Sequence, residues 1–149
     1  MAKLTVDGID GILINVMRID STLRGRIDRA LELSGAVVQE AMRQEGKRTF
    51  KEPTGELEEA VKPGRVRHFP EASEIGVWPQ GPYTGRRGKT RRAETVGFVI
   101  EYGVPPYRMK AGPFKGATRG RQAANPWMTR SFKKSEQKVR ELIEEVIHP

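Results

Sequence analysis

The chain has 149 residues and contains no cysteine. This absence excludes disulfide bonds, zinc sites built from thiolates and cysteine nucleophiles, and it is compatible with a reducing compartment. Histidine is nearly as scarce, since only His68 and His148 are present. Neither histidine has a second histidine or a carboxylate cluster at the spacing that a metal site requires. We therefore expect no metal.

Sequence motifs that carry catalysis are also missing. The chain has no Gly-x-Ser-x-Gly elbow, and the glycines at 81–85 lack the spacing and the strand-to-helix context of a phosphate-binding loop. An enzyme acting on an acidic substrate would have only Glu101 and His68 to use. We therefore predict that the protein is not an enzyme and uses no cofactor.

Long apolar runs are absent as well. No run approaches the roughly 20 consecutive apolar residues of a membrane-spanning helix. The first residues, 1–4, do not begin the apolar core of a signal peptide. We expect no membrane partner, and the length predicts one domain with a modest core.

The formal net charge of +8 is concentrated in one section of the chain. Between Pro79 and Asn125 there are ten basic and two acidic residues, so this section carries the whole excess and the remainder is balanced. Such a section indicates a polyanionic partner, an acidic protein surface or solvated loops. Its basic residues are Arg86, Arg87, Lys89, Arg91, Arg92, Arg108, Lys110, Lys115, Arg119 and Arg121.

Three aromatic residues, Tyr83, Tyr107 and Phe114, are interleaved with these basic residues. The combination suits contacts with phosphates and stacking on bases. Because no base-reading module is present, such contacts would be independent of DNA sequence. The alternative is a pair of solvated loops that become ordered on a protein partner, and we favour this alternative.

The most apolar run in the C-terminal half, Val96–Gly103, fits two secondary structures. Apolar side chains alternate from Phe98 to Tyr102, as in a strand. Apolar residues also recur at the steps of a short helix that Gly103 would end. Glu101 lies beside the apolar face, and its Arg-rich surroundings favour a salt bridge over a catalytic role.

The N-terminal part is predicted to be mainly helical. Residues 4–6 are expected to be extended and residues 12–17 to form a short helix. Asp20 or Ser21 is a candidate cap for a longer helix that reaches about Arg48. Its apolar stripe consists of Leu23, Ile27, Ala30, Leu31, Ser34, Val38, Ala41 and Met42.

The middle of the chain is predicted to be a short helix followed by two strands. Thr54 is a candidate N-cap, with three glutamates in the first turn and a stop at 63–64. Residues 65–69 and 74–78 resemble strands joined by a turn, and Trp78 is expected at the sheet edge. The composition of 79–93 and of 104–125 predicts irregular loops.

The clearest boundary is Asn125-Pro126, where asparagine suits an N-cap and proline suits the first helical position. The helix that follows has an apolar stripe of Met128, Phe132, Ser135, Val139, Leu142, Ile143 and Val146. The two long helices and a small antiparallel sheet with long basic loops predict an α+β domain. Its parts are the helical region 1–50, the sheet region 53–103 with basic loop 79–95, the extended basic loop 104–125 and the C-terminal helix 126–147.

Three segments in order resemble one protein family. They are 53–57 (Pro-Thr-Gly-Glu-Leu), 99–103 (Val-Ile-Glu-Tyr-Gly) and 126–128 (Pro-Trp-Met). This order is similar to that of the tail-completion proteins of tailed bacteriophages and prophages, which are minor tail components of the head–tail neck. The matching positions are Thr54, Gly55, Leu57, Glu101, Tyr102, Gly103, Pro126 and Trp127.

The resemblance implies a structural virion protein that completes the tail and joins it to the head connector. It also implies a ring, usually sixfold, around the DNA path, and it favours the helical interpretation of 96–103. The expected partners are further copies of the chain, a tail terminator or tail tube protein, head–tail connector proteins and, without sequence specificity, the DNA in the channel. The expected location is the virion neck or tail, and the host cytoplasm during assembly.

This chain departs from the family in its long cationic segment at 104–125, because the family's corresponding link is usually short. A closed ring joins two different surface patches of neighbouring subunits. One candidate contact joins a cationic segment to an acidic helix face formed by Glu136, Glu141, Glu144 and Glu145. The alternative function is sequence-independent nucleic-acid binding through the basic loops.

Overall fold

The structure, a computed structural model, describes residues 2–7, 11–17, 23–50, 55–84, 88–120 and 122–148. The described elements are β1 (Ala2–Asp7), β2 (Gly11–Met17), α1 (Arg24–Thr49), α2 (Glu56–Glu59), β3 (Val61–Pro63), β4 (Arg67–His68), β5 (Ala72–Pro79), β6 (Pro82–Thr84), β7 (Thr90–Arg92), α3 (Ala93–Tyr102), β8 (Tyr107–Arg108), β9 (Thr118–Arg119) and α4 (Trp127–Ile147).

A five-stranded antiparallel sheet forms one layer of the protein. Its order is β1-β2-β5-β3, and β4 also pairs with β5. The register places Ile14 opposite Ile75 and Lys62 opposite Trp78. The extended segment expected at 4–6 is confirmed as part of β1.

The short helix predicted at 12–17 is wrong, because these residues form strand β2. Branched side chains such as Ile14 suit a pleated strand, and a short continuous apolar run does not distinguish a strand from a buried helix. Ile14 is fully buried in the core, opposite Ile75 of β5. Pairing with a strand about 60 residues later therefore decided the structure of this segment.

Helices α1 and α4 pack side by side against the sheet, and their contacts show that they run antiparallel. The stripe predicted for α1 is confirmed, since Ile27, Ala30, Leu31, Ser34, Val38 and Met42 are all buried. In α4 the buried residues are Trp127, Met128, Ser131, Ser135, Val139 and Ile143. The predicted α+β architecture of two long helices on a small antiparallel sheet is confirmed. Helix α1 begins at Arg24, and the two candidate caps, Asp20 and Ser21, lie outside the described residues.

Helix α2 is shorter than predicted. It begins after Gly55 and ends at Glu59, because residues 61–63 pair with β5 as strand β3. The proposed cap Thr54 lies outside the described residues. The two predicted strands are confirmed as β4 and β5, but β5 is paired on both sides and Trp78 is half-buried rather than at an edge.

An ion cluster around the buried Glu45 joins α1 to α4. Glu45 of α1 accepts a hydrogen bond of 2.6 Å from Nε of Arg130 and is also paired with the ammonium of Lys134. Arg130 donates further bonds to Thr49 Oγ1 at 3.0 Å and to Asn125 Oδ1 at 2.8 Å. The hydrogen bonds from Lys134 and then Arg130 hold the pKa of Glu45 below its usual value.

This cluster predicts a pH-dependent stability. The folded-state pKa of Glu45 is lowered, so the carboxylate stabilises the fold above its unfolded pKa of about 4.3, and this stabilisation is lost as the pH falls through the folded pKa. We expect Glu45→Gln to lower the free energy of unfolding by about 1–2 kcal/mol at pH 7, since both partners are partly exposed. The difference from wild type should shrink below pH 4 in urea unfolding, whereas the exposed control Glu32→Gln should change little. An effect of Glu45→Gln that does not vary with pH would contradict this assignment.

Candidate protein-interaction surface

The basic section predicted as loops contains two ordered hairpins. In the first, β6 and β7 pair with Tyr83 opposite Arg91 and Thr84 opposite Thr90. The prediction of a loop over 79–93 is therefore wrong, because β5 extends to Pro79 and the hairpin follows. Tyr83 is only 7% exposed and packs with Leu57 in a second small core, so its ring is not available for stacking on a base.

The second hairpin, residues 104–122, is here called the arm. Strands β8 and β9 pair with Tyr107 opposite Arg119, and a bridge joins Val104 to Gln122 at the base. Nearer the tip, the Met109 N–H donates to Ala117 O at 3.0 Å. The prediction of an irregular loop over 104–125 is therefore wrong for this segment. The sequence signal that could have predicted this hairpin is a pair of short strand-like runs separated by a Gly-Pro turn.

The arm exposes aromatic and cationic side chains. Tyr107 is 53% exposed and Phe114 is 54% exposed, and the guanidinium carbon of Arg119 lies 4.4 Å from the Phe114 ring centroid. A two-stranded hairpin is marginally stable on its own in water. An ordered arm that keeps large aromatic rings exposed is typical of an element that is completed by a partner surface.

Glu101 fixes the root of the arm, which is the base of the hairpin at the Val104–Gln122 bridge together with the residues that flank it. The run 93–102 is helix α3, and the helical interpretation of 96–103 is confirmed. Glu101 is buried, and it accepts hydrogen bonds from the backbone N–H of Met128 at 2.7 Å, from the N–H of Thr129 at 3.2 Å and from the Thr129 hydroxyl. Within the described part of the chain the expected salt bridge is wrong, because the carboxylate instead caps the positive N-terminal end of α4.

Trp127 fixes α4 to α3 from the other side of the root. Its indole N–H donates to Gly97 O at 3.2 Å, and its ring makes an edge-to-face contact with Phe50 at a centroid distance of 4.9 Å. The predicted Asn125 cap is wrong, since its side chain accepts a bond from Arg130 and makes no cap bond to α4. The backbone N–H of Asn125 donates to Ile100 O at 2.8 Å, which closes the root.

The structure brings together many of the positions that carry the family resemblance. Glu101, Gly103, Pro126 and Trp127 surround the root of the arm, and Tyr102 stacks on Phe98 with ring centroids 6.4 Å apart. The earlier motif positions are less closely associated. Leu57 lies in the second core, Gly55 precedes α2, and Thr54 is outside the described residues.

The predicted basic residues divide between the two hairpins. Lys89, Arg91 and Arg92 are exposed on or beside β7, where Arg92 lies 3.4 Å from Glu94 Oε1. The exposed basic residues of the arm are Arg108, Lys110, Lys115 and Arg119. Arg86, Arg87 and Arg121 lie outside the described residues.

The predicted acidic face of α4 is only partly free to contact another molecule, because two of its glutamates already have partners within the helix. Glu136 is paired with Arg140 at 2.9 Å, and Glu141 accepts a hydrogen bond from Gln137 at 2.8 Å. Glu144 and Glu145 are exposed near the end of the helix.

The described residues contain no cluster of side chains typical of a metal centre. Across 2–7, 11–17, 23–50, 55–84, 88–120 and 122–148, no group of three or more histidine and acidic residues could hold a metal ion. His68 Nδ1 lies 3.0 Å from Ser73 Oγ and 3.7 Å from Asp28 Oδ1, so it links β4 to β5 and α1. No helix within these same ranges is long and apolar enough to cross a bilayer.

Sequence reasoning did not identify the Glu45 cluster or the groove between α1 and α4. Both depend on residues about 85–110 positions apart in the chain, and no local pattern marks them. Comparison of this chain with protein-family models, with curated proteins and with solved structures found no match.

Proposed function

We propose that this chain is a structural protein of the phage neck or tail top, which completes the tail and joins it to the head connector. The observation that carries the proposal is the ordered arm. Its root is built from the same residues that resemble the tail-completion family, including Glu101 and Trp127. A stable body with an exposed, cationic and aromatic projection suits an assembly protein better than an enzyme.

The proposed assembly is a ring, usually sixfold in this family, around the path of the DNA. The neighbours in the proposal are copies of the chain, a tail terminator or tail tube protein, and the head–tail connector proteins. The proposed location is the virion, with the host cytoplasm as the site of assembly. The cationic hairpins are then available to neighbouring subunits and to the DNA in the channel.

Deletion of the coding sequence from the parent phage or prophage tests this function. We expect lysates to contain filled heads and separate or unfinished tails, and a plasmid copy of the chain to restore infectious particles. Electron microscopy and plaque titres measure the outcome. Normal titres of joined particles after deletion would contradict the proposal, as would the absence of the chain from purified virions by mass spectrometry.

A second candidate function, sequence-independent binding to nucleic acid, is supported by the exposed basic residues on both hairpins. With about four phosphate contacts, affinity for a duplex should fall about 100-fold between 50 and 200 mM salt. Replacing Arg108, Lys110, Lys115 and Arg119 by Gln should remove most of this dependence. Binding is measured by fluorescence anisotropy with duplexes of unrelated sequence. Extending the replacement to Arg86, Arg87, Arg91 and Arg92 tests the basic residues of 86–92 in the same way.

The matched control removes the same number of charges from exposed positions of α1. It replaces Arg24, Arg26, Arg29 and Lys47 by Gln. If the two quadruple variants lose affinity equally, binding is a property of net charge and not of the hairpins. Binding that does not change with salt would eliminate this candidate.

A further inference from the structure

The two edges of the five-stranded sheet are built differently. One edge is formed by the short strands β3 and β4, which have three and two residues. Strand β3 ends in Pro63, and Arg67 of β4 is exposed. Short strands, proline and exposed charge are features that keep a sheet edge from pairing with another strand. This edge is therefore poorly suited to the addition of a strand.

The other edge is β1, which is six residues long and contains neither proline nor glycine. It pairs with β2 over its whole length, from Ala2 opposite Val16 to Asp7 opposite Gly11, without a bulge. Among the described strands only β2 pairs with it. Because alternate residues of an edge strand direct their backbone N–H and C=O groups away from the neighbouring strand, the outer edge of β1 can accept a further strand.

The sequence of β1 is complementary to itself in one antiparallel register. If Thr5 is opposite Thr5 of a second copy, Lys3 is opposite Asp7 and Leu4 is opposite Val6. Opposite charges and threonine pairs directly across two strands stabilise a sheet, whereas like charges destabilise it. A shift by one residue would pair polar positions with apolar ones, and a shift by two would separate the two charges. The pattern therefore favours a second copy of β1 as the added strand.

Helix α4 lies beside the same edge. It packs over β1 and β2, whereas α1 packs over β2, β3 and β5. The flank of α4 that faces away from α1 is therefore the one nearest the outer edge of β1. One helix covers about two strands, because packed helices are about 8–10 Å apart and paired strands about 4.8 Å apart. A second copy that pairs through β1 would therefore place its α4 next to this flank.

This flank of α4 is also complementary to its own antiparallel copy. Residues such as Lys138 line the groove toward α1. Helical spacing then places on the opposite flank four charged residues that alternate in sign, Lys133, Glu136, Arg140 and Glu144. When two such helices run antiparallel, Lys133 comes opposite Glu144, and Glu136 comes opposite Arg140. Since Glu136 and Arg140 already pair at 2.9 Å within one helix, the contact would extend this pair into a network across two copies.

We propose that two copies of this chain pair through β1, antiparallel and with Thr5 opposite Thr5. Their sheets then form one continuous sheet, and their α4 helices pack side by side. A contact of one surface with the same surface closes after two copies, so a ring would need a second, different contact. The pairing leaves the arm free, goes beyond the proposed neck function and does not depend on it.

Oxidative crosslinking tests the register, because the natural chain has no cysteine. Thr5→Cys should form a disulfide-linked dimer with itself, since Cβ atoms directly opposite across antiparallel strands are about 4.5–5.5 Å apart. Lys3→Cys alone should give about ten-fold less product, because its two copies would lie about 13 Å apart at about 3.3 Å per residue. A mixture of Lys3→Cys and Asp7→Cys should give the covalent heterodimer.

The control for chance collisions is Glu71→Cys, which is exposed in the turn before β5 and should give little dimer. Circular dichroism checks that each variant is folded. Light scattering of the natural chain should show twice the monomer mass. Lys3→Glu should weaken this dimer about ten-fold, because like charges then meet at two symmetry-related positions, and adding Asp7→Lys should restore it.

Three results would overturn the β1 pairing. They are equal disulfide yields for Thr5→Cys and Glu71→Cys, a higher yield for Lys3→Cys than for Thr5→Cys, and a natural chain that stays monomeric up to about 0.1 mM while Thr5→Cys remains uncrosslinked. The gene deletion tests the neck function separately. Unjoined heads and tails without a β1 dimer would leave the neck function standing, whereas a β1 dimer with normal plaque titres would leave only the pairing.

Discussion

Replacing Trp127 by Ala should lower the free energy of unfolding by about 3–5 kcal/mol. Trp127 is fully buried at the first residue of α4, and it is the largest of the fully buried side chains within the described ranges. Its loss opens a cavity, removes the aromatic contact with Phe50 and leaves Gly97 O without the indole donor. For a chain of this size the midpoint of thermal unfolding should fall by about 10 °C, since each kcal/mol corresponds to about 2–4 °C.

The matched variant Trp127→Phe separates packing from hydrogen bonding. It keeps an aromatic ring against Phe50 but loses the donor to Gly97 O, so we expect a smaller loss of about 1–2 kcal/mol. Differential scanning calorimetry measures both variants. A melting temperature for Trp127→Ala within about 2 °C of wild type would correspond to less than about 1 kcal/mol and would contradict the buried position of this side chain.

Replacing Gly103 by Ala should cost about 3 kcal/mol or more, because backbone strain of about 1–3 kcal/mol is combined with a steric clash. Gly103 ends α3 with φ 72° and ψ −177°, a conformation that is essentially restricted to glycine. A Cβ atom at this position would lie 2.6 Å from Gln122 O and 2.7 Å from Ala124 N. Both are backbone atoms at the root of the arm, so the clash can be relieved only by moving the arm relative to α4.

Gly112→Ala is the control for conformational strain alone. Gly112 also has a positive φ, of 84°, but no atom lies within 4 Å of the position that its Cβ would take. We expect a cost of about 1–2 kcal/mol from the left-handed conformation, confined to the arm's tip. Urea unfolding compares the two variants. Equal effects would show that the close packing of Gly103 on residues 122–124 does not contribute to stability.

The long helices could be predicted because their information is local. Apolar residues recur along α1 at three- and four-residue steps, and the same residues are buried on one face. The strand β2 could not be distinguished from a helix because its apolar run is short and continuous. Its structure depends on pairing with β5, and the partner of Ile14, Ile75, is far away in the sequence.

The sequence predicts which residues of the candidate site are basic and aromatic, but it does not predict how the fold arranges them. The cationic character of the arm is evident from residues such as Arg108 and Arg119. The arm is ordered by cross-strand pairs, and these pairs cannot be recognised in a segment whose composition, rich in glycine and proline, is typical of a loop. The Arg-rich sequence around Glu101 favours a salt bridge, whereas its partners are the backbone N–H groups of Met128 and Thr129 and the Thr129 hydroxyl, 27 and 28 positions later. The interleaving of Tyr83 with basic residues predicts an exposed ring, but packing with Leu57 in the second core buries it.

A helix–sheet body carries the arm, and we propose that the arm serves assembly. The most direct test replaces residues 107–119 by an Asn-Gly turn, which suits a two-residue hairpin loop where residues 106 and 120 face each other. We predict a folded protein with a nearly unchanged melting temperature that fails to restore infectious particles to the deletion phage. Full restoration of plaque titre by the shortened chain would contradict the account.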